Sequence, residues 1–224
     1  MVFDAMTDVR VVFGAKSPLI DHFLRSSGWS RYLLISSSAS QIMDEKQNLL
    51  GNLSDLEQIV IDQLNGTSGR LLIIYSGPFS RLHSIDVNVG IDSLVDLYRL
   101  IDNLLAKTQK LTIDLVVLGS IETAVDGIYD QYRQLKKIEL NFFLVKLMKQ
   151  VSRLRMRYYA LPTMRPSRLV GKLLCVNYQS VADRLANSID RNDDGIGQYR
   201  DFRYILFNLL LKLKLNGTVK TFKW

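Results

Sequence analysis

Val9-Arg10-Val11-Val12-Phe13-Gly14 is the stretch on which the reading of the fold turns. A run rich in β-branched residues ends at a glycine, and Ile20, Phe23 and Leu24 then recur at the spacing of an amphipathic helix. The segment predicts strand, tight turn, helix. The alternation continues along the chain. Tyr32 to Ile35 is a second apolar run, stopped by Ser36-Ser37-Ser38, and Leu53, Leu56, Ile59, Val60 and Leu64 follow at helical spacing. Leu71 to Tyr75 predicts a buried strand ending at Ser76-Gly77-Pro78, and Leu94, Leu97, Leu100, Ile101 and Leu104 predict a helix. Leu115 to Leu118 predicts a strand that closes at Gly119-Ser120. The helix carrying Tyr132 and Lys136 is expected to run to about Val151, with Met156 to Leu161 one more strand before Pro162.

Strands that alternate with helices argue for βαβ units and a parallel sheet covered on both faces. The expected fold is α/β, a Rossmann-type doubly wound parallel sheet. With no Pro/Gly-rich linker or internal repeat to divide the chain, a single domain over residues 1–224 is expected, ending in a basic, apolar helix and tail at 199–224. In such sheets ligands bind beyond the carboxyl ends of the strands. Gly14, Ser76, Gly77, Ser120 and Pro162 all fall at predicted carboxyl ends and so converge on one rim.

Composition narrows the function classes. At 47% hydrophobic and 23% charged residues the chain suits a globular domain. Cys175 is the only cysteine, which rules out an intrachain disulfide and makes a reducing, cytoplasmic setting the expectation. Asp4 and Asp8 stand where a secretory leader would need a positive start and an apolar core, so none is expected. The charge is split: residues 1–130 carry 10 Lys/Arg against 16 Asp/Glu, and residues 131–224 carry 19 against 6. Arg153, Arg155, Arg157, Arg165, Arg168 and Lys172 follow one another without an intervening acid, a pattern of either an anion-attracting face or solvated helix surfaces. Nucleic acid is not among the expected partners, because neither zinc-ligand spacing nor an aromatic-basic signature is present.

Tyr132 and Lys136 lie four apart and therefore on one helix face. An ammonium beside a phenol favours the phenolate, and a serine hydroxyl at the neighbouring strand end, Ser120, could hold a substrate oxygen. The alternative is a surface tyrosine and lysine on an ordinary amphipathic helix.

The order of these features resembles the short-chain dehydrogenase/reductase family over nearly the whole chain. Val11 to Ile20 resembles its first strand and glycine-rich turn; Asn52-Leu53-Ser54-Asp55 resembles its adenine-side segment. Ile74-Tyr75-Ser76-Gly77 stands where the family has N-N-A-G, Asn88 matches the asparagine of its fourth helix, and Ser120, Tyr132 and Lys136 match its catalytic trio. The resemblance implies hydride transfer with NADP or NAD, Tyr132 as the proton donor or acceptor, and Lys136 lowering its pKa and holding the nicotinamide ribose. It further implies Ser120 on the substrate oxygen and Asn88 on a water-linked proton path. Gly14, Lys16, Ser17, Ser37, Asn52, Leu53, Ser76, Gly77 and Pro162 would line the cofactor. The absence of an acid in Ser36-Ser37-Ser38 leans towards NADP. The resemblance departs at the glycine turn, where Pro18 and Ile20 occupy the other two glycine places: proline has no N–H for a phosphate, and the isoleucine is expected to push helix from strand. A catalytically inactive binding or assembly protein that has lost the dinucleotide is therefore the alternative. Arg165 and Arg168, in the short stretch where the family builds its substrate lid, suggest an anionic substrate such as a phosphorylated or nucleotide-linked sugar. Family members pack as dimers or tetramers through the helices matching Leu94–Leu104 and Gln131–Val151, which implies a homo-oligomer.

Two further motifs stand outside this pattern. Asp190 to Asp201 has the oxygen ligands and turn glycine of a calcium loop, but Asp201 replaces the bidentate glutamate and Gly197 the usual apolar residue. A polar turn joining two helices is expected there, with no metal assigned and calcium binding the alternative. From Tyr199 to Trp224, apolar residues at helical spacing alternate with Lys/Arg, a face to be covered by the core, by a second subunit, or by a peripheral membrane contact.

Overall fold

The computed structural model describes residues 7–15, 17–36, 39–64, 69–77, 87–124, 131–162, 164, 175–189 and 194–224. The strands are β1 (Thr7–Phe13), β2 (Leu33–Ser36), β3 (Gln41–Met43), β4 (Leu49–Asn52), β5 (Gly69–Ser76), β6 (Leu111–Ser120), β7 (Leu154–Leu161), β8 (Gly195–Gln198) and β9 (Thr221–Lys223). The helices are α1 (Pro18–Ser27), α2 (Leu56–Leu64), α3 (Val87–Lys107), α4 (Gln131–Met148), α5 (Tyr178–Ser188) and α6 (Ile205–Leu215). The strands form one sheet in the order β4-β3-β2-β1-β5-β6-β7-β8-β9. From β2 to β9 every neighbouring pair is parallel.

Parallel pairing follows from burial. Leu71 to Tyr75 and Ile113 to Leu118, apart from the charged Asp114, present apolar side chains to both faces and are buried throughout, as strands between two helix layers must be. Helix α1 packs beside α5, where His22 Nδ1 and Gln179 Oε1 lie 2.7 Å apart and Ser26 Oγ donates to Asp183 at 2.6 Å. On α3 and α4, Tyr98 stacks on Phe142 and Lys146 pairs with Asp102. The expected Rossmann-type sheet is present.

Three parts differ from the sequence reading. First, β2 is followed by an antiparallel ribbon, β3 and β4, in a stretch where no strand was expected before the helix. The ribbon is turned by Asp44, whose carboxylate accepts from the amides of Lys46 at 2.9 Å and Asn48 at 2.8 Å. Second, the Gly195 end of the calcium-like segment is not a turn between helices but β8, buried and paired with β7 and β9. Asp201 at its other end caps the 3₁₀ turn 202–204 through Arg203 N and pairs with the Arg203 guanidinium at 2.6 Å. Asp190 to Asp193 lie outside the described residues. Third, the arginine run does not form a ligand-facing surface at 153–157. Arg153 donates to the carbonyls of Leu105 and Thr108 at the end of α3, and Arg155 and Arg157 converge with Arg70 on the buried Asp114. Those three cations serve the rim opposite the strand carboxyl ends.

Candidate functional site

The carboxyl ends of β1, β5, β6 and β7 share one rim. Ser120 is in register with Leu161, and Pro162 is buried immediately after it. Gly14 has φ +110°, and a Cβ there would lie 3.0 Å from Ser76 Cβ, so the turn after β1 needs glycine both for conformation and for room. Its amide donates to Ile35 O at 3.0 Å, closing the turn against β2.

Helix α4 crosses this rim with Tyr132, Lys136, Glu139 and Phe143 on its buried side, the i, i+4, i+7, i+11 row of one helix face. Lys136 Nζ stands 5.9 Å from the centre of the Tyr132 ring and 3.0 Å from where a Cβ on Gly77 would be. The sequence-predicted tyrosine, lysine and glycine are thus brought together. Ser120 stands at the adjacent strand end: its Oγ accepts from Glu122 N at 3.2 Å, its N–H donates to Tyr158 Oη at 3.3 Å, and its carbonyl accepts from Thr123 Oγ1 at 2.7 Å. A hydroxyl that accepts one amide still carries a proton to donate. Asn88 lies in the first turn of α3, exposed to solvent.

Sequence reasoning missed Glu139. Both its side chain and that of Lys136 are fully buried, and Lys136 Nζ lies 2.8 Å and 3.1 Å from its two carboxylate oxygens. Burial pushes the Glu139 carboxyl above its ordinary range, against the opposing pull of Lys136. The phenols of Tyr75, Tyr98 and Tyr158 are all pushed well up, first by burial and then by the Glu139 carboxylate. The signal was present in the sequence: Glu139 is i+7 from Tyr132, an acid on what is otherwise the core stripe of the helix.

On the dinucleotide side, the hydroxyls of Ser17 and Ser76 are buried next to the Gly14 turn without a hydrogen-bond partner among the described residues. Two orphaned donors beside a glycine turn suit phosphate or ribose oxygens. Ile20 is fully buried in the core, because α1 turns it inward with Leu19 and Phe23. Pro18 occupies the first position of α1, which conformation favours but which leaves one amide fewer at the helix start. Asn52 and Leu53 line a cleft of ≈ 550 Å³ with Phe13, Ser40, Asp96 and Arg99, among others. Asn52 N donates to Asp55 Oδ2 at 2.9 Å, so the acid of that segment caps the 3₁₀ turn 53–55. Lys16, Ser37, Arg165 and Arg168 lie outside the described residues, and among the described residues no cluster of His, Cys, Asp or Glu is arranged to hold a metal.

No family model matches the sequence, and no curated protein matches it. Solved structures do match. A short-chain dehydrogenase from Streptomyces avermitilis superposes with a TM-score of 0.60 at 10% identity, covering 97% of this chain and 96% of that one. The KRED1-Pglu enzyme superposes at 0.56 with 15% identity, covering 84% and 96%. The FolM alternative dihydrofolate reductase 1 from Brucella canis, complexed with NADP, superposes at 0.55 with 14% identity, covering 82% and 88%. The chain has the fold of the short-chain dehydrogenase/reductases.

Proposed function

We propose that the protein is an NAD(P)-dependent oxidoreductase acting on a carbonyl or alcohol group. The observation that carries this reading is the meeting of Tyr132, Lys136 and Gly77, with Ser120 at the end of the neighbouring strand β6, on a fold whose structural neighbours include an NADP complex. In this reading the bound dinucleotide supplies the hydride. Tyr132 supplies or takes the proton, Ser120 donates its hydroxyl hydrogen to the substrate oxygen, and Asn88 supports a water-linked exit for the proton. Gly14, Lys16, Ser17, Ser37, Ser76, Gly77 and Pro162 would lie along the cofactor, with Asn52 and Leu53 at its adenine end. NADP is preferred over NAD on the serines after β2. Arg165 and Arg168 would recognise an anionic substrate, a phosphorylated or nucleotide-linked sugar. The exposed Phe142, Val145 and Met148 of α4 suit pairing of two copies across α3 and α4, and the single cysteine suits the cytoplasm.

Calorimetric titration with NADPH and NADH tests the proposal. Binding of either, with Tyr132→Phe abolishing carbonyl reduction while retaining the cofactor, is the expected result. Replacing Arg165 and Arg168 by alanine should raise the Michaelis constant without changing cofactor affinity.

A second reading, a non-catalytic binding or assembly protein on the same fold, is favoured by one observation: the Lys136 charge is already met by Glu139 in a fully buried pair. Absence of binding for both dinucleotides would select it and overturn the first.

A further inference from the structure

Helix α6 is apolar on both faces and covered on one. Leu211 and Leu215 are buried, and Lys214 Nζ donates to Thr123 O at 3.2 Å, which fixes the inner side against the turn 121–124. Ile205, Leu206, Leu209 and Leu213 are 52–65% exposed, and Phe202, just before the helix, is 80% exposed. At about 100° per residue those four side chains fall in one sector, with Lys212 at its edge. An exposed apolar sector of this extent on a helix that is also apolar inside calls for a covering partner.

The charge around the sector says which. From Phe202 to Trp224 the sequence carries Lys212, Lys214, Lys220 and Lys223 and no Asp or Glu, while Arg203 is paired with Asp201 at 2.6 Å. A cleft of ≈ 420 Å³ at the start of the sector sets Arg200, Lys223 and the Arg203-paired Asp201 beside Phe202 and Ile205. Two copies meeting through this face would place like charges against each other. A bilayer rich in anionic lipid offers acyl chains to the leucines and phosphates to the cations in the same plane.

We propose that this face of α6 docks on an anionic lipid bilayer. Phe202, Ile205, Leu206, Leu209 and Leu213 enter the boundary between headgroups and acyl chains, and Lys212 meets lipid phosphate at its edge. The helix lies on the surface; no described helix is long and apolar enough to cross a membrane. Lys214 holds Thr123, and Thr123 Oγ1 donates to Ser120 O, so the docking helix is the one packed on the turn that follows Ser120. The proposal stands independently of dinucleotide binding.

Flotation of the full chain with vesicles of phosphatidylcholine, alone or mixed with phosphatidylglycerol, tests it. The expected result is flotation with the mixed vesicles only, reversed by high salt. Leu206→Asp with Leu209→Asp should abolish flotation, and Lys212→Gln should lower the partition coefficient about fivefold, both with unchanged melting temperature. Wild-type protein that stays unbound with mixed vesicles overturns the proposal. So does a wild-type dimer that the double aspartate variant converts to a monomer without any vesicle binding. Should the double variant fail to fold, the salt dependence of the wild type and the Lys212→Gln partition decide alone.

Discussion

Lys136 Nζ lies 2.8 Å from Glu139 Oε2, and neither side chain reaches solvent. The pair is one turn apart on α4 and is held beneath Gly77, so a lysine that sequence spacing assigns to a tyrosine also belongs to a carboxylate. Its ammonium is therefore shared between the carboxylate and the Tyr132 ring, 5.9 Å away.

Breaking this pair from one side should be costly. Glu139→Leu leaves an ammonium buried against apolar surroundings and should lose about 3–5 kcal/mol of stability. Lys136→Met with Glu139→Leu removes both charges and should recover most of that loss. Urea denaturation of the two single variants and the double variant measures the coupling; additive losses would contradict the arrangement.

The pH dependence has a definite sign. Burial raises the native Glu139 carboxyl above its unfolded value, so the native state binds that proton more tightly. Its contribution to stability is complete below the ordinary glutamate range and is lost as pH rises through the raised native value. Glu139→Gln, which mimics the protonated acid, should remove this loss. Denaturation midpoints compared from acidic to neutral pH would show the variant with the shallower decline.

Gly77→Ala should disturb the site more than its size suggests. The added Cβ would fall 2.1 Å from Glu139 Oε1, and the carboxylate cannot retreat without leaving Lys136. A loss of roughly 1–3 kcal/mol is expected, read as a melting temperature lower by about 2–4 °C per kcal/mol.

Asp114→Ala should destabilise from the opposite rim. Arg70 Nε donates to Asp114 Oδ2 at 2.8 Å, and the fully buried Arg157 lies 3.8 Å from the same oxygen. Removing the carboxylate leaves Arg157 without that counter-charge, at a cost of about 3–5 kcal/mol. Thermal unfolding checks it, and a variant as stable as wild type would show that Ile189 O alone satisfies the guanidinium.

Much of the architecture was legible from periodicity. Leu71 to Tyr75 and Leu115 to Leu118 read as buried strands because both of their faces are apolar, Val9 to Phe13 and Met156 to Leu161 read as strands despite one arginine each, and the four are the parallel centre of the sheet. The ribbon β3–β4 was not legible because Gln41 to Met43 and Leu49 to Asn52 are too short to show a period; only the Asp44 turn marks them. Gly195 to Gln198 carries two glycines and a glutamine, so nothing in its composition announces a strand. It is one because β7 and β9 flank it.

The candidate site divides in the same way. Sequence by itself determined that Tyr132 and Lys136 share a helix face and that Gly14, Ser76, Gly77 and Ser120 close strands on a common rim, since helix and strand periods are local properties of the chain. Only the tertiary structure decided what those side chains meet: Glu139 beside Lys136, Ser76 against Gly14, Arg155 and Arg157 beside Asp114 rather than at a ligand, and a leucine face on α6 left uncovered. Burial, counter-charge and room for a Cβ depend on elements far apart in sequence, so they are set when the layers pack and not before.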